Sequence, residues 1–198
     1  MRLTVPNQLT ILRILLTPVF LFLILQKKPS AQLAGSIVYC IAALTDWYDG
    51  WYARKFGVIT RTGQFMDPLA DKILVSSALI AFVALDYVIP WMVWVIIARD
   101  AFITSVRIYA LHVNKPIITH ILAKWKTFAQ MLTIFLILIM INLHNYFPAN
   151  PHPYRPTYTD VIGISMLIVT ILTVLSAVIY IFENKELLLN ILRKLFRL

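Results

Sequence analysis

The chain has 198 residues, of which 60% are hydrophobic and 14% charged, with mean hydropathy +0.79. A water-soluble domain carries about 45–50% apolar and about 25% charged residues, so a soluble globule is excluded, as is disorder, which needs low hydrophobicity. Lys and Arg number 18 against 9 Asp and Glu, a net charge of +9; in so apolar a chain this excess reads first as positive charge flanking membrane spans, not as a nucleic-acid surface.

Spanning a bilayer takes about 20 mostly apolar residues. Six stretches qualify, at 8–26, 32–53, 66–85, 89–111, 122–143 and 160–182. The first is too long for the apolar region of a cleavable signal, and no clear A-x-A site follows it. Cys40, the single cysteine, lies in the second run, which leaves no disulfide framework and no Cys-based metal site. No strand alternation points to a barrel. The connection 144–159 holds Pro148, Pro151, Pro153 and Pro156 and reads as an irregular external loop. After it comes the last span and then the tail 184–198, with Leu188, Ile191, Leu192, Leu195 and Phe196 on one face, an expected amphipathic helix on the inner leaflet. The expected fold is therefore an all-α integral membrane protein with six transmembrane helices, divided into a transmembrane domain over 1–183 and a cytoplasmic tail over 184–198.

Basic residues in the connections set the orientation. One side collects Arg2, Arg54, Lys55, Arg61, Lys115, Lys124, Lys126, Lys185, Arg193, Lys194 and Arg197; the other has Lys27, Lys28 and Arg155. The positive-inside rule then puts both termini in the cytoplasm of a multi-pass protein of the cell membrane. Arg13, Lys72, Arg99 and Arg107 fall inside spans and need another explanation.

Acidic residues are scarce, yet Asp46, Asp49, Asp67 and Asp71 fall close together in the sequence. On insertion scales a carboxylate deep in a bilayer costs about 2.5–3.5 kcal/mol, so four of them require a ligand or partner. Asp46 and Asp49 are spaced i,i+3 at the cytoplasmic end of the second span, and Asp67 and Asp71 are spaced i,i+4 at the start of the third. Each pair shares one helical face, and the short link between the spans brings the pairs together. Oxygen-only ligands suit Mg²⁺ or Mn²⁺, with room for two ions; the absence of interleaved His or Cys argues against zinc. Gly50, Ala53, Gly57 and Gly63 would let a ligand approach the backbone, and Arg54 and Arg61 add positive charge suited to phosphate. The competing explanation is a set of salt bridges from the four aspartates to Arg54, Lys55, Arg61 and Lys72.

The pattern Asp46-x2-Asp49-Gly50-x2-Ala53-Arg54-x8-Gly63-x3-Asp67-x3-Asp71 resembles the CDP-alcohol phosphatidyltransferase signature at every fixed position. Pro6-Asn7-x2-Thr10-x2-Arg13, the segment from Met66 to Lys72, Ala98-Arg99-Asp100 with Arg107, and Lys124-x-Lys126-Thr127-x2-Gln130 look like the bacterial phosphatidylglycerophosphate synthase branch of that family. The resemblance covers about residues 5–182. It implies transfer of the phosphatidyl group of CDP-diacylglycerol to sn-glycerol 3-phosphate, with release of CMP. It implies Asp46, Asp49, Asp67 and Asp71 as ligands of a divalent metal pair, Asp71 as candidate base, and Asp46, Gly50, Ala53, Arg54 and Gly63 at the CDP site. Relatives imply a homodimer, and the substrates place the active site at the cytoplasmic face of a lipid membrane, with no nucleic-acid partner.

Arg13, Arg99, Arg107 and Lys126 are the candidates for binding the acceptor's phosphate, since Arg can hold a dianion bidentately. Two other functions are weighed. A cardiolipin synthase of the same family would take phosphatidylglycerol as acceptor. A divalent-cation transporter would use intramembrane carboxylates as an ion path, but these aspartates sit at one edge, and no broken-helix pair is evident.

Overall fold

The computed structural model describes residues 5–56, 61–112, 121–147 and 154–185. Among them there is no strand, and six helices follow one another: α1 (Val5–Ile24), α2 (Pro29–Phe56), α3 (Arg61–Ala84), α4 (Pro90–His112), α5 (Ile121–Tyr146) and α6 (Val161–Glu183). Each coincides with one apolar stretch of the sequence. Proline opens α2 and α4, where its missing N–H would have had no partner in any case. Asp160 caps α6, accepting a hydrogen bond of 2.8 Å from the Gly163 amide. The greater part of the expected amphipathic tail, 186–198, lies outside the described residues.

One boundary differs from the sequence expectation. The third helix begins at Arg61, so Asp67 and Asp71 lie well inside it and not at its start. The added first turns carry Arg61, Thr62 and Gln64 and give no apolar signal. Pro68 in turn reads as a helix opening, although here it sits within α3.

α1, α5 and α6 are long and apolar enough to cross a membrane. α2, α3 and α4 are diluted by the charges they carry, among them Asp46 and Asp49, Asp67 and Asp71, and Arg99 and Asp100. The core is mainly apolar, but the exterior is apolar too and some charged side chains are inside. Phe22, Leu132 and Phe182 are exposed, whereas Arg13 and Lys126 are among the largest fully buried side chains. An apolar exterior with polar groups kept inside is what lipid as solvent selects.

The chain forms two compact units. The first holds α1, α2, α3 and the second part of α5, with α1 packed on both α2 and α3. Tyr39 of α2 is its aromatic centre, 5.3 Å from the Phe20 ring and 5.8 Å from the Phe135 ring. Gly35 permits the close approach of α2 to the end of α1: a Cβ there would stand 3.0 Å from the Ile24 backbone nitrogen. Gln32 donates to the Ile24 carbonyl at 3.2 Å, satisfying one of the orphan acceptors at the end of α1. The second unit holds α4, the first part of α5 and α6. There α4 packs on α6 through Ile103, Val106, Ala110 and Tyr180.

Candidate active site

Within the first unit, Arg13 of α1 is fully buried and forks between two carboxylates of α2. Its Nη1 lies 2.5 Å from Asp46 Oδ1 and its Nη2 lies 2.5 Å from Asp49 Oδ2. The i,i+3 spacing of the aspartates puts both on the face that meets α1, and the planar guanidinium fits two acceptors at once. Thr17 donates to the Arg13 carbonyl at 2.9 Å, one turn along the same face. Thr10, one turn back from Arg13, donates to Asp67 Oδ1 of α3 at 2.6 Å. α1 therefore supplies one donor to each acidic helix.

Asp71 is engaged more loosely, by Lys72 Nζ at 3.7 Å, and its side chain is 23% exposed. The charges of Asp67 and Asp71 act repulsively on Asp46, and those of Asp46 and Asp67 on Asp49, which puts the four in one electrostatic neighbourhood. Lys55 lies over the Trp51 ring, 4.5 Å from its centroid. The counter-charge for Asp46 and Asp49 comes from Arg13 on another helix, and the neighbouring lysines of the sequence contribute Lys72 to Asp71.

The donor set has the composition a hard divalent cation needs, oxygen only. The side-chain contacts take Asp46 Oδ1, Asp49 Oδ2, Asp67 Oδ1 and Asp71 Oδ2, one oxygen of each carboxylate. Among the described residues no three acidic, His or Cys side chains stand in a metal-holding arrangement. Gly50 follows Asp49 in α2. Ala53 and Arg54 belong to the last turn of α2 and Gly63 to the first of α3; their surroundings, and Gly57, lie outside the described residues.

The second unit holds a separate buried cluster. Asp100 Oδ1 accepts from Lys126 Nζ at 2.6 Å and from Arg99 Nη1 at 3.1 Å. Lys126 also donates to Gln130 Oε1 at 2.5 Å, and Arg99 Nη2 donates to Ser176 Oγ of α6 at 2.8 Å. Arg99 and Arg107 both act electrostatically on the buried Tyr180 hydroxyl. Two cations share one carboxylate, so the linked trio Arg99, Asp100 and Lys126 carries net positive charge. Arg13, grouped by sequence with these basic residues, directs Nη1 and Nη2 at Asp46 and Asp49.

Residues 3–182 match the family described as CDP-alcohol phosphatidyltransferase. The chain belongs to this family. It is 36% identical over 193 residues to the CDP-diacylglycerol–glycerol-3-phosphate 3-phosphatidyltransferase of Bacillus subtilis, covering 91% of this chain and 95% of that one. A protein of the same name from Blochmanniella floridana is 33% identical over 192 residues, covering 94% and 93%. Another, from Rickettsia bellii, is 33% identical over 134 residues, covering 68% and 74%.

In this CDP-alcohol phosphatidyltransferase family member, several polar partners had no role assigned from sequence. Thr10 had a local signal, since it precedes Arg13 by one helical turn. Gln130 likewise follows Lys126 by four residues. Asp100 was visible only as a neighbour for Arg99, and its bond to Lys126 joins residues 26 apart. Ser176 and Tyr180 extend a stripe of buried polar groups on α6 that includes Thr170 and Thr173; the periodicity was legible, but its partner helix was not.

Proposed function

We propose that this chain transfers the phosphatidyl group of CDP-diacylglycerol to sn-glycerol 3-phosphate, giving phosphatidylglycerol phosphate and CMP, in phospholipid biosynthesis. The observation that carries the proposal is the treatment of the four signature aspartates. Arg13 and Thr10 hold three of them from α1, each through one oxygen, and Asp71 keeps the loosest contact. Full-length similarity to relatives bearing that enzyme name supports the choice of donor and acceptor.

In this reading Asp46, Asp49, Asp67 and Asp71 would hold one or two Mg²⁺ or Mn²⁺ ions, and Gly50, Ala53, Arg54 and Gly63 would line the CDP site. A divalent ion bound there would supply positive charge against that developing on the diphosphate and on departing CMP. Asp71 accepts the proton of the acceptor hydroxyl as that oxygen bonds to the phosphatidyl phosphorus. The bond from that phosphorus to the CMP oxygen breaks, and CMP leaves with the electron pair. Arg99, Arg107 and Lys126 bind the acceptor's phosphate. Arg13 acts on the other substrate, by fixing the aspartates.

The six helices are read as six spans of the cell membrane, with both termini and the active site on the cytoplasmic side, over a transmembrane domain at 1–183 and a lipid-associated tail at 184–198. The donor's acyl chains then stay in lipid while its head group reaches the aspartates. The working form is read as a homodimer.

The test uses purified protein in detergent with CDP-diacylglycerol and Mg²⁺ or Mn²⁺. Labelled glycerol 3-phosphate and phosphatidylglycerol are supplied in separate reactions. CMP release with glycerol 3-phosphate, abolished by a chelator and by Asp71→Asn, is the expected result. Release with phosphatidylglycerol alone would make the chain a cardiolipin synthase, and no release with any alcohol acceptor would remove the enzymatic reading.

A further inference from the structure

Lys126 and Gln130 stand one turn apart on α5, joined by the 2.5 Å bond from Nζ to Oε1. An ammonium group only donates, so the glutamine amide has one permitted orientation: its oxygen faces Lys126 and its Nε2 faces away. Gln130 is 2% exposed, and Nε2 has no partner among the described residues. A buried amide donor without an acceptor is costly, and methionine would fill the same volume without that cost.

The orphan is not isolated. Arg99, Asp100, Lys126 and Gln130 form one continuous chain of hydrogen bonds through Asp100 Oδ1. At its other end, Arg99 Nε is also buried without a partner. A linked set of side chains with net positive charge and an unused donor at each end is complementary to an anion rich in acceptor oxygens. A phosphate monoester fits that description, carrying two negative charges and several acceptor oxygens.

We propose that Gln130 is an acceptor-binding residue, donating Nε2–H to a phosphate oxygen of the acceptor, and that it sets preference for a phosphomonoester over a neutral alcohol. The proposal rests on the phosphatidyl-transfer reading above and adds a residue to it. Lys126 supplies charge at the same place, and Gln130 supplies a neutral donor of its own to the same anion.

The test measures CMP release by the full-length protein in detergent, with CDP-diacylglycerol and Mg²⁺, as glycerol 3-phosphate is varied. Gln130→Met is compared with wild type, and again in a Lys126→Met background. Loss of one hydrogen bond to an anion corresponds to about a tenfold rise in the KM for glycerol 3-phosphate. That rise is expected in both backgrounds, with the KM for CDP-diacylglycerol within about twofold of wild type. Gln130→Leu, which removes the amide and adds no charge, is measured where Gln130→Met does not fold, and the same rise is expected. A rise that vanishes in the Lys126→Met background would reduce Gln130 to a support for Lys126 and overturn the proposal. An unchanged KM in a folded variant would overturn it too. Wild-type protein that turns over glycerol 3-phosphate while the variants match it sinks this inference alone; wild type inactive with glycerol 3-phosphate sinks the transfer reading and this inference with it.

Discussion

Arg13 contacts Asp49 across 36 residues of sequence, 2.5 Å from Nη2 to Oδ2, with the arginine wholly buried and the aspartate nearly so. A charge pair this deep in an apolar helix bundle survives only while both members are present. Removing one leaves the other uncompensated, at a cost of about 3–5 kcal/mol. Arg13→Met is therefore expected to lower the unfolding temperature in detergent by far more than a surface change. Arg13→Lys, which keeps the charge but cannot fork, should fold and lose activity. Thermal unfolding and CMP release on the same preparations check both outcomes.

Thr10 offers a milder perturbation of the same site. Thr10→Val preserves shape and deletes the 2.6 Å hydrogen bond to Asp67. Bonds to charged groups contribute about 1.5–3 kcal/mol, so Asp67 should lose orientation without loss of fold. The expected result is a roughly tenfold higher Mg²⁺ concentration for half-maximal activity, with the rate at saturating Mg²⁺ largely recovered. A metal titration of CMP release measures it.

The second cluster predicts a non-additive pair. Asp100→Leu leaves Lys126 and Arg99 short of a counter-charge in a buried site, and Lys126→Met shifts the balance the other way. The double variant should be more stable than the sum of the single losses, with a coupling of about 0.5–3 kcal/mol. Unfolding of the four proteins in detergent closes the cycle.

Gly35→Ala separates packing from chemistry. Alanine in a helix ordinarily gains about 0.5–1 kcal/mol over glycine. Here the new Cβ meets the Ile24 backbone nitrogen at 3.0 Å, and backbone does not move aside as a flexible side chain does. A net loss of about 1–2 kcal/mol is expected, with the KM for both substrates unchanged at a temperature where the variant remains folded.

Cysteine labelling checks the proposed topology. In a Cys40→Ser background, Lys28→Cys should react with an impermeant maleimide added to intact cells. Lys55→Cys should react only after the membrane is opened.

The sequence told a great deal about where helices are and little about what they exchange. Apolar length placed six helices, since a helix satisfies its backbone internally. The start of α3 was missed because its first turns are polar and Pro68 mimics an opening. The four aspartates stood out because carboxylates are scarce in so apolar a chain. Arg13 was visible as an anomaly inside a span, but its partners on α2 depend on tertiary packing that no local spacing encodes. Asp100 was hidden for the same reason: its bond to Lys126 crosses from α4 to α5. Spacing reveals which residues share a face, and only packing shows what that face meets.

The fork of Arg13 also bears on how such a protein is made. Two carboxylates inserted side by side would repel each other until something positive arrived. Here the positive group is built into the preceding helix. Assembly of α1 with α2 then needs no metal ion, and under the proposed chemistry the chelated protein should hold its helices together, silent but intact, until a cation is restored.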